Sequence, residues 1–356
     1  MEILLIRPKT WNDFKNKNNF HDLNNFLSPS TFPPLGLLYV GAALENDGHN
    51  VTILDCNKEE NDIKTIKEYV RTSDIIGFTV TNADFKTTNS LIKIIKKINP
   101  DIPIIIGGPH CIFFQKKSLE TVPDADISVT SEADKSITQI IRYFQGDKKL
   151  SNIPGIFYKK NNKIIKGKDL EIIKDLNDLP FPARHLIDKY DYGKGYGNYL
   201  FKPKLTSMIS SKGCPYKCRF CSRYGNFIDG WKVRERTAEN VVDEILKIDK
   251  IYGSVFIVDD NFLANKKRAL KIMDSLIKNK TSIELLIEGA RVDSADEKLY
   301  RKMKKANVKL IGFGIESGNQ DVLDFYNKKF TIEQARKAVK LANRMGFITM
   351  STFILG

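Results

Sequence analysis

The sequence predicts an α/β chain in two parts: a doubly wound parallel sheet, followed by a partial βα barrel. Three observations predict it. Near-continuous Ile, Val and Leu runs alternate with helix-period stretches in both halves, as strands buried on both faces between covering helices do. Polar and glycine-rich residues gather just after the apolar runs, at what become the carboxyl ends of strands. A proline-bearing stretch containing Pro180 and Pro182 enforces extended chain between the two alternating series. At 356 residues, with 42% apolar content, the chain can bury two cores.

In the first part, 1–146, strands are predicted at 2–6, 51–54, 74–80, 102–106 and 125–129. Helices are predicted at 35–46, 63–72, 85–98, 116–121 and 135–144. Pro33 and Pro34 fix an extended entry to the helix that opens at Leu35. The third strand is followed by Thr79, Thr81 and Asn82, the fourth by Gly107, Gly108, Pro109 and His110, and the fifth by Ser131, Glu132, Ala133 and Asp134. Paired glycines either let backbone approach a bulky ligand or make a tight strand-to-loop turn. This pattern supports a doubly wound (Rossmann/flavodoxin-like) nucleotide- or cofactor-binding sheet.

Residues 147–204 read as a connector. It holds a hairpin around Asn161-Asn162, the extended Pro180–Pro182 strap and a loop rich in Gly and Tyr over 190–199.

In the third segment, 205–356, strands are predicted at 205–209, 254–258, 283–287, 309–314 and 349–355, and helices at 238–252, 266–278, 296–306 and 332–344. Ser294-x-x-Glu297 and Thr331-x-x-Gln334 read as capping boxes at two helix starts. Repeated βα units curl into a barrel whose functional residues lie at strand carboxyl ends. Those ends carry Asp259, Asp260, Asn261 and Phe262, then Glu288, Arg291 and Asp293, then Glu316, Ser317 and Gly318.

After the first of these strands comes a C-x3-C-x2-C array, Cys214, Cys218 and Cys221. Thiolates are soft ligands that select zinc or iron–sulfur clusters. Structural zinc wants four ligands, and the candidate His185 lies far upstream. Three cysteines suit a [4Fe–4S] cluster with one iron left open. The other two, Cys56 and Cys111, read as plain buried thiols. Five cysteines clustered this way argue against a disulfide framework and for a reducing compartment, the cytoplasm. No run approaches the roughly 18 apolar residues of a membrane span, and the start lacks the flanks of a signal peptide. The net charge of +14 comes with lysines scattered through a composition rich in Ile and Asn. It does not form the aromatic-interleaved basic stretch of a nucleic-acid binder.

The cysteine array, with Phe220 before its last member, resembles the cluster loop of the radical S-adenosylmethionine (radical SAM) enzymes. Pro33-Pro34-Leu35-Gly36, the spacing of Gly48, His49, Val51 and Asp55, and Gly107-Gly108-Pro109-His110 are similar to the cobalamin (B12)-binding domain fused to a large subgroup of them. The resemblance implies a [4Fe–4S] cluster on Cys214, Cys218 and Cys221, S-adenosyl-L-methionine on its open iron, and cobalamin. It implies that Asp259, Asp260, Asn261 and Phe262 hold the amino group of S-adenosylmethionine, and that Arg291 contacts its carboxylate or ribose. Glu316 would take the ribose hydroxyls and the backbone near Phe220 the adenine, with Glu288 among the cofactor contacts. Thr79, Thr81, Gly107, Gly108, Pro109 and His110 would line the cobalamin pocket.

Two departures qualify it. The Asp-x-His-x-x-Gly motif that supplies a histidine to cobalt is absent: Asp47-Gly48-His49 begins it, but Thr52 stands where Gly belongs. No histidine is therefore expected on the lower face of cobalt, and His49 reads as a polar loop residue. Ser131-Glu132-Ala133-Asp134 replaces a Gly-Glu-Gly-Glu-like turn.

The activity implied is radical cleavage of S-adenosylmethionine, used for cobalamin-dependent methylation. Non-methylating radical cyclisation, rearrangement or oxidation on the same scaffold, and an inactive cofactor-binding protein, are the alternatives. Methylthiotransferases are disfavoured, because their N-terminal domain carries three cluster cysteines and only Cys56 and Cys111 are available here. The partners implied are a small-molecule or peptide substrate and an electron donor such as flavodoxin or ferredoxin, with no nucleic acid. Against this family the sequence reads as a partial (β/α)6 barrel that lacks its last strand, which predicts an exposed sheet edge and low stability.

Overall fold

A computed structural model describes residues 1–10, 31–59, 62–195, 198–199, 201–221 and 233–355. The chain forms two compact units, Met1–Ile173 with Asp178–Tyr190, and Lys174–Asn177 with Asp191–Gly356.

The first unit is built in the order β1 (Glu2–Arg7), α1 (Leu35–Asn46), β2 (Asn50–Asp55), α2 (Asp62–Val70), β3 (Ile75–Thr79), α3 (Phe85–Ile98) and β4 (Ile104–Gly107). It continues with α4 (Pro109–Phe114), α5 (Ser118–Thr121), β5 (Ile127–Val129), α6 (Ala133–Phe144), β6 (Ile156–Lys160) and β7 (Lys163–Lys166). The sheet order is β2-β1-β3-β4-β5-β6-β7. Pairs among the first five strands are parallel, while β5–β6 and β6–β7 are antiparallel. Leu4, Ile6, Ile76, Ile104 and Ile106 are buried in one core cluster with Ile92 and Ile95 of α3. The strands lose water from both faces, which is why they read as unbroken apolar runs. Strand order reverses between β1 and β3, so the ligand-accepting crevice of such a sheet lies beyond Arg7 and Thr79. The hairpin expected in the connector is β6–β7, and it extends this sheet.

The second unit opens with a short pair, β8 (Lys194–Gly195) and β9 (Asn198–Tyr199). Then come β10 (Leu205–Met208), β11 (Ser211–Lys212), β12 (Arg234–Glu235), α7 (Ala238–Ile248), β13 (Ser254–Ile257) and α8 (Lys266–Lys278). The unit ends with β14 (Glu284–Ala290), α9 (Glu297–Lys305), β15 (Val308–Glu316), α10 (Gln320–Phe325), α11 (Ile332–Arg344) and β16 (Ile348–Phe353). The order β10-β13-β14-β15-β16 is sequential, and every pair is parallel. Sequential parallel strands with crossover helices give the wall of a βα barrel, not a doubly wound sheet. Register shifts interrupt β14–β15 between Leu285 and Leu286 and between Ile287 and Ala290, and β15–β16 between Gly314 and Glu316. Such bulges re-aim side chains, and the last two fall at the carboxyl ends.

One capping expectation is corrected. Thr331 and Gln334 do form a reciprocal capping box on α11. The cap of α9 is Asp296, which accepts from Leu299 N–H at 2.8 Å, while Ser294 lies in a preceding 3-10 turn. The sequence 294–297 offers two caps two residues apart, and Val292–Ser294 folds as a separate turn that shifts the helix start. Two helices were not expected at all, α4 and α10.

Candidate functional site

Cys214, Cys218 and Cys221 lie in one eight-residue loop, partly exposed, and none is in a disulfide. The loop leaves β11 at Gly213, whose φ of 90° favours glycine. Gly213 N–H donates to Asp260 Oδ2 at 2.7 Å. At the far end, Arg219 N–H donates to Tyr326 O at 3.0 Å and Asn327 Nδ2 to Lys217 O at 2.8 Å. The Phe220 ring stands edge-on to Tyr326 at 5.0 Å. The loop is thus tied at both ends. Among the described residues no three His, Cys, Asp or Glu side chains converge as the ligands of one ion would. Thiolates of an iron–sulfur cluster bind different irons and need no such convergence. Three partly exposed thiols on a tethered loop fit that group.

Asp259 is engaged by the chain's own serines. It is buried, and Oδ1 accepts from Ser210 N–H at 2.6 Å. Its Oδ2 accepts from the hydroxyls of Ser210 at 2.5 Å and Ser211 at 2.6 Å. Burial pushes the Asp259 carboxyl up, and these hydrogen bonds oppose the push. Phe262 is fully buried in the core. Of the four residues expected around the amino group, Asn261 keeps a donor-seeking atom: its Oδ1 is buried without a hydrogen-bond partner.

The inner rim of the barrel is lined by glycines. A Cβ on Gly289 would lie 2.3 Å from Asp259 O, and its φ is 72°. A Cβ on Gly314 would lie 2.8 Å from Glu316 Oε1 and 3.5 Å from Lys328 Nζ, and one on Gly312 3.5 Å from Glu288 Cα. Glu288 is half-buried in β14, and burial raises its carboxyl. Glu316 takes a φ of 76°, rare for a residue with a side chain. Its Oε1 lies 3.6 Å from the buried Lys328 ammonium, and its carbonyl accepts from Ile354 N–H at 3.0 Å. Lys328 Nζ also lies 5.4 Å from the Phe220 ring centroid.

Arg291 is buried and already engaged. It pairs with Asp293 at 2.9 Å, stacks 3.5 Å from the Tyr216 ring centroid and donates to Lys328 O. It braces the cysteine loop instead of presenting a fork to a ligand.

In the first unit, Thr79, Thr81, Gly107 and Gly108 are half-buried and Pro109 is exposed at the carboxyl ends of β3 and β4. Gly108, with φ 96°, allows a close approach: a Cβ there would lie 2.9 Å from Thr79 Oγ1 and 3.1 Å from Val80 N. Thr81 donates its N–H to Asp84 Oδ1 at 2.6 Å and its hydroxyl to Oδ2 at 2.8 Å. Burial pushes the Asp84 carboxyl up to about 6. His110 is buried, with Nδ1 2.8 Å from Asn82 Oδ1 and Nε2 2.8 Å from Thr121 Oγ1. Its ring stacks on Phe85 at 5.4 Å, and burial lowers its affinity for a proton. Both ring nitrogens are occupied, so it shapes the loop rather than offering a ligand. His49 is buried in the turn before β2, 3.8 Å from Asp47. Glu132 Oε2 accepts from Ile173 N–H at 2.9 Å, so the loop after β5 is bound to its own unit. Cys56 and Cys111 are fully buried thiols, as expected. Gly108 lets the loop after β4 pack on Thr79 and Val80, and the half-buried polar rim this leaves at the carboxyl ends of β3 and β4 fits a ligand bound at this edge.

Sequence reasoning missed Asp84, Arg236, Arg268 and Lys328. A signal for Arg268 existed: it lies four residues before Ile272, on the stripe of Ala269, Ile272, Met273 and Leu276 that α8 buries. Lys328 sits in a turn and carries no periodic signal.

Residues 208–356 match the Radical SAM superfamily model, and residues 26–141 match the B12 binding domain model. An uncharacterized methyltransferase of Pyrococcus horikoshii is 29% identical over the whole chain and 74% of its own length. An anaerobic magnesium-protoporphyrin IX monomethyl ester cyclase of Rubrivivax gelatinosus is 27% identical over the whole chain, which spans 62% of that protein. A cytidylyl-2-hydroxyethylphosphonate methyltransferase of Streptomyces wedmorensis is 25% identical over 94% of this chain and 70% of its own. Among solved structures, the radical SAM methyltransferase TsrM of Kitasatospora setae, with cobalamin and a [4Fe–4S] cluster bound, superposes with a TM-score of 0.76 over all of this chain and 69% of its own, at 16% identity. The cobalamin-dependent radical SAM enzyme OxsB, with aqua-cobalamin and S-adenosylmethionine bound, gives 0.77 over 99% and 49% at 20% identity. Fold and site thus define a two-domain α/β enzyme of cofactor chemistry. The chain is a B12-binding-domain-containing radical SAM protein. Its cofactors are those of this class: S-adenosylmethionine, a [4Fe–4S] cluster and cobalamin. No described helix is long and apolar enough to cross a membrane.

Proposed function

We propose that this protein cleaves S-adenosylmethionine at a [4Fe–4S] cluster held by Cys214, Cys218 and Cys221, and uses the radical for cobalamin-dependent methylation of a carbon. The observation that carries the reading is the cysteine loop, which presents three partly exposed thiols and is tethered at both ends to the carboxyl-end loops of its own barrel. When bound, the cluster supplies the electron that yields a 5′-deoxyadenosyl radical from S-adenosylmethionine, and cobalamin supplies the methyl group.

The chain's residues bind and orient. Glu288 and Asn261 Oδ1 are suited to the ammonium group of S-adenosylmethionine. Burial raises the Glu288 carboxyl, and an ammonium beside it would favour its ionised form. Lys328, buried beside Phe220 and at only 3.6 Å from Glu316, is suited to the carboxylate. This moves the carboxylate contact from Arg291, whose fork braces the loop. Glu316 accepts from ribose hydroxyls, and the backbone near Phe220 takes the adenine. Thr79, Thr81, Gly107, Gly108 and Pro109 line the cobalamin edge, with His110 holding Asn82 in place. Among the described residues, His110 at this edge is held by Asn82 and Thr121 and is not suited to ligate a metal. The electron comes from a flavodoxin- or ferredoxin-type donor, and a reducing cytoplasm suits the three thiolates.

A second reading has an observation of its own, since a relative named as a cyclase matches the whole chain. It keeps the same cofactor residues and ends in cyclisation without methyl transfer.

The test is anaerobic reconstitution. About four irons per chain, reductant-dependent 5′-deoxyadenosine and a base-off spectrum with hydroxocobalamin are expected. Absence of cobalamin binding removes methylation, and absence of 5′-deoxyadenosine removes the radical reading. Incubation with methyl-deuterated S-adenosylmethionine and a candidate substrate separates methylation from cyclisation.

A further inference from the structure

The cysteine loop departs at β11 and the chain returns at β12, where Ser211 pairs with Glu235 and Lys212 with Arg234. This neck is locked by buried charges. Ser210, four residues before Cys214, gives its N–H and hydroxyl to Asp259. Its carbonyl accepts from Arg236 N–H at 3.0 Å and from Arg268 Nη2 at 2.6 Å. Arg268 Nε donates to Arg236 O at 2.8 Å, so one guanidinium grips both sides of the neck. Arg268 Nη1 lies 3.8 Å from Glu235 Oε1. Arg236 in turn donates to Ile209 O at 2.8 Å and pairs with Glu244, which is fully buried. Arg268 and Asp259 are 6% and 3% exposed, deep enough that solvent screens them weakly.

Neutral side chains could satisfy the same backbone groups without the desolvation cost of buried ions. What the charges add is a field at the base of the loop. Reduction of a cluster adds one negative charge, so a fixed cation nearby favours it and a fixed anion opposes it.

We propose that Arg268 and Asp259 are positioning residues for the cluster, clamping the neck of the cysteine loop and setting the cluster's reduction potential by their opposed charges. This rests on the reading that the loop holds a [4Fe–4S] cluster. Asp259 acts on the neck through Ser210 and Ser211, and Arg268 through Ser210 and Arg236, so neither residue is placed as a ligand.

The test loads Arg268→Met, Arg268→Lys, Asp259→Asn and the parent chain anaerobically with iron and sulfide. Each is then titrated potentiometrically, with the reduced cluster read by electron paramagnetic resonance. Arg268→Met should disfavour reduction by about tenfold, equivalent to about 59 mV for one electron. Asp259→Asn should favour it by a similar factor, and Arg268→Lys should lie closer to the parent than Arg268→Met does. Unchanged potentials in both charge-removing variants overturn the proposal, as do shifts of the same sign. So does loss of iron from Arg268→Met with a lowered apo melting temperature that Arg268→Lys fails to restore, the signature of a mere strut. A parent chain that takes up no iron removes the proposed function as well, and is seen before any variant is titrated.

Discussion

The two parallel sheets hold their carboxyl-end loops by different means. In the second unit the cysteine loop is fixed by buried ions: Asp259 on Ser210 and Ser211, Arg268 across the neck, and Arg291 stacked on Tyr216. In the first unit the loops after β3 and β4 are fixed by small and mostly neutral groups: Thr81 on Asp84, His110 between Asn82 and Thr121, and Gly108 against Thr79. The difference matches the ligands proposed. A charged cluster on three thiolates gains from a rigid loop in a defined field. A broad macrocycle gains from backbone exposed by short side chains, where long ions would stand in the way.

The largest expected effect falls on the charged side. Cys214→Ala should abolish both the cluster and S-adenosylmethionine cleavage, measured as iron content and 5′-deoxyadenosine, while hydroxocobalamin binding persists in the first unit. Cleavage surviving in that variant would separate the cysteines from the chemistry. Next is Gly289→Ala. Its methyl would lie 2.3 Å from a backbone oxygen at a φ of 72°, a combination that costs about 2–4 kcal/mol. The apo melting transition of the second unit should drop, and an unchanged transition would show that the rim yields.

On the neutral side, Gly108→Ala should weaken cobalamin binding about tenfold or more with the cluster intact, read by absorbance titration. A simultaneous loss of iron would show that the two regions are not independent. The smallest effect concerns Asp84, whose carboxyl sits at about 6 against roughly 3.8 when unfolded. The folded state holds this proton more tightly, so the stability it contributes is full below about pH 4 and lost as pH rises through 6. Asp84→Asn should flatten that part of the melting-temperature profile between pH 4 and 7. An unaltered profile would assign the slope to other groups.

Much of this architecture was legible in the sequence. Helices 35–46, 85–98, 266–278 and 332–344 were placed to the residue, because their apolar period and boundary residues agree. The capping box at Thr331 is the clearest case. Helix α4 escaped because Gly107-Gly108-Pro109 reads as a breaker, whereas Pro109 is the first residue of the helix, where its missing N–H is harmless. The gathering of Cys214, Cys218 and Cys221 on one partly exposed loop was legible because their spacing alone requires it. The roles of Asp259, Arg291 and His110 were not, because a polar residue at a strand end looks the same whether it faces a ligand or a neighbouring loop. Only the tertiary partners, Ser210, Asp293 and Asn82, distinguish these. Lys328 was invisible for the complementary reason: its burial comes from Phe220 and Phe330, distant in sequence or outside any periodic element.

The antiparallel hairpin that completes the first sheet also bears on how the chain stays out of aggregates. Strand β7 stands at the margin of seven strands, and its sequence Lys-Ile-Ile-Lys ends in an exposed ammonium on each side. A margin of that kind discourages a second sheet from docking strand to strand, since each new pairing would bring lysines together. The pairing of that guarding strand needs only the two-residue turn at Asn161 and Asn162, both with positive φ.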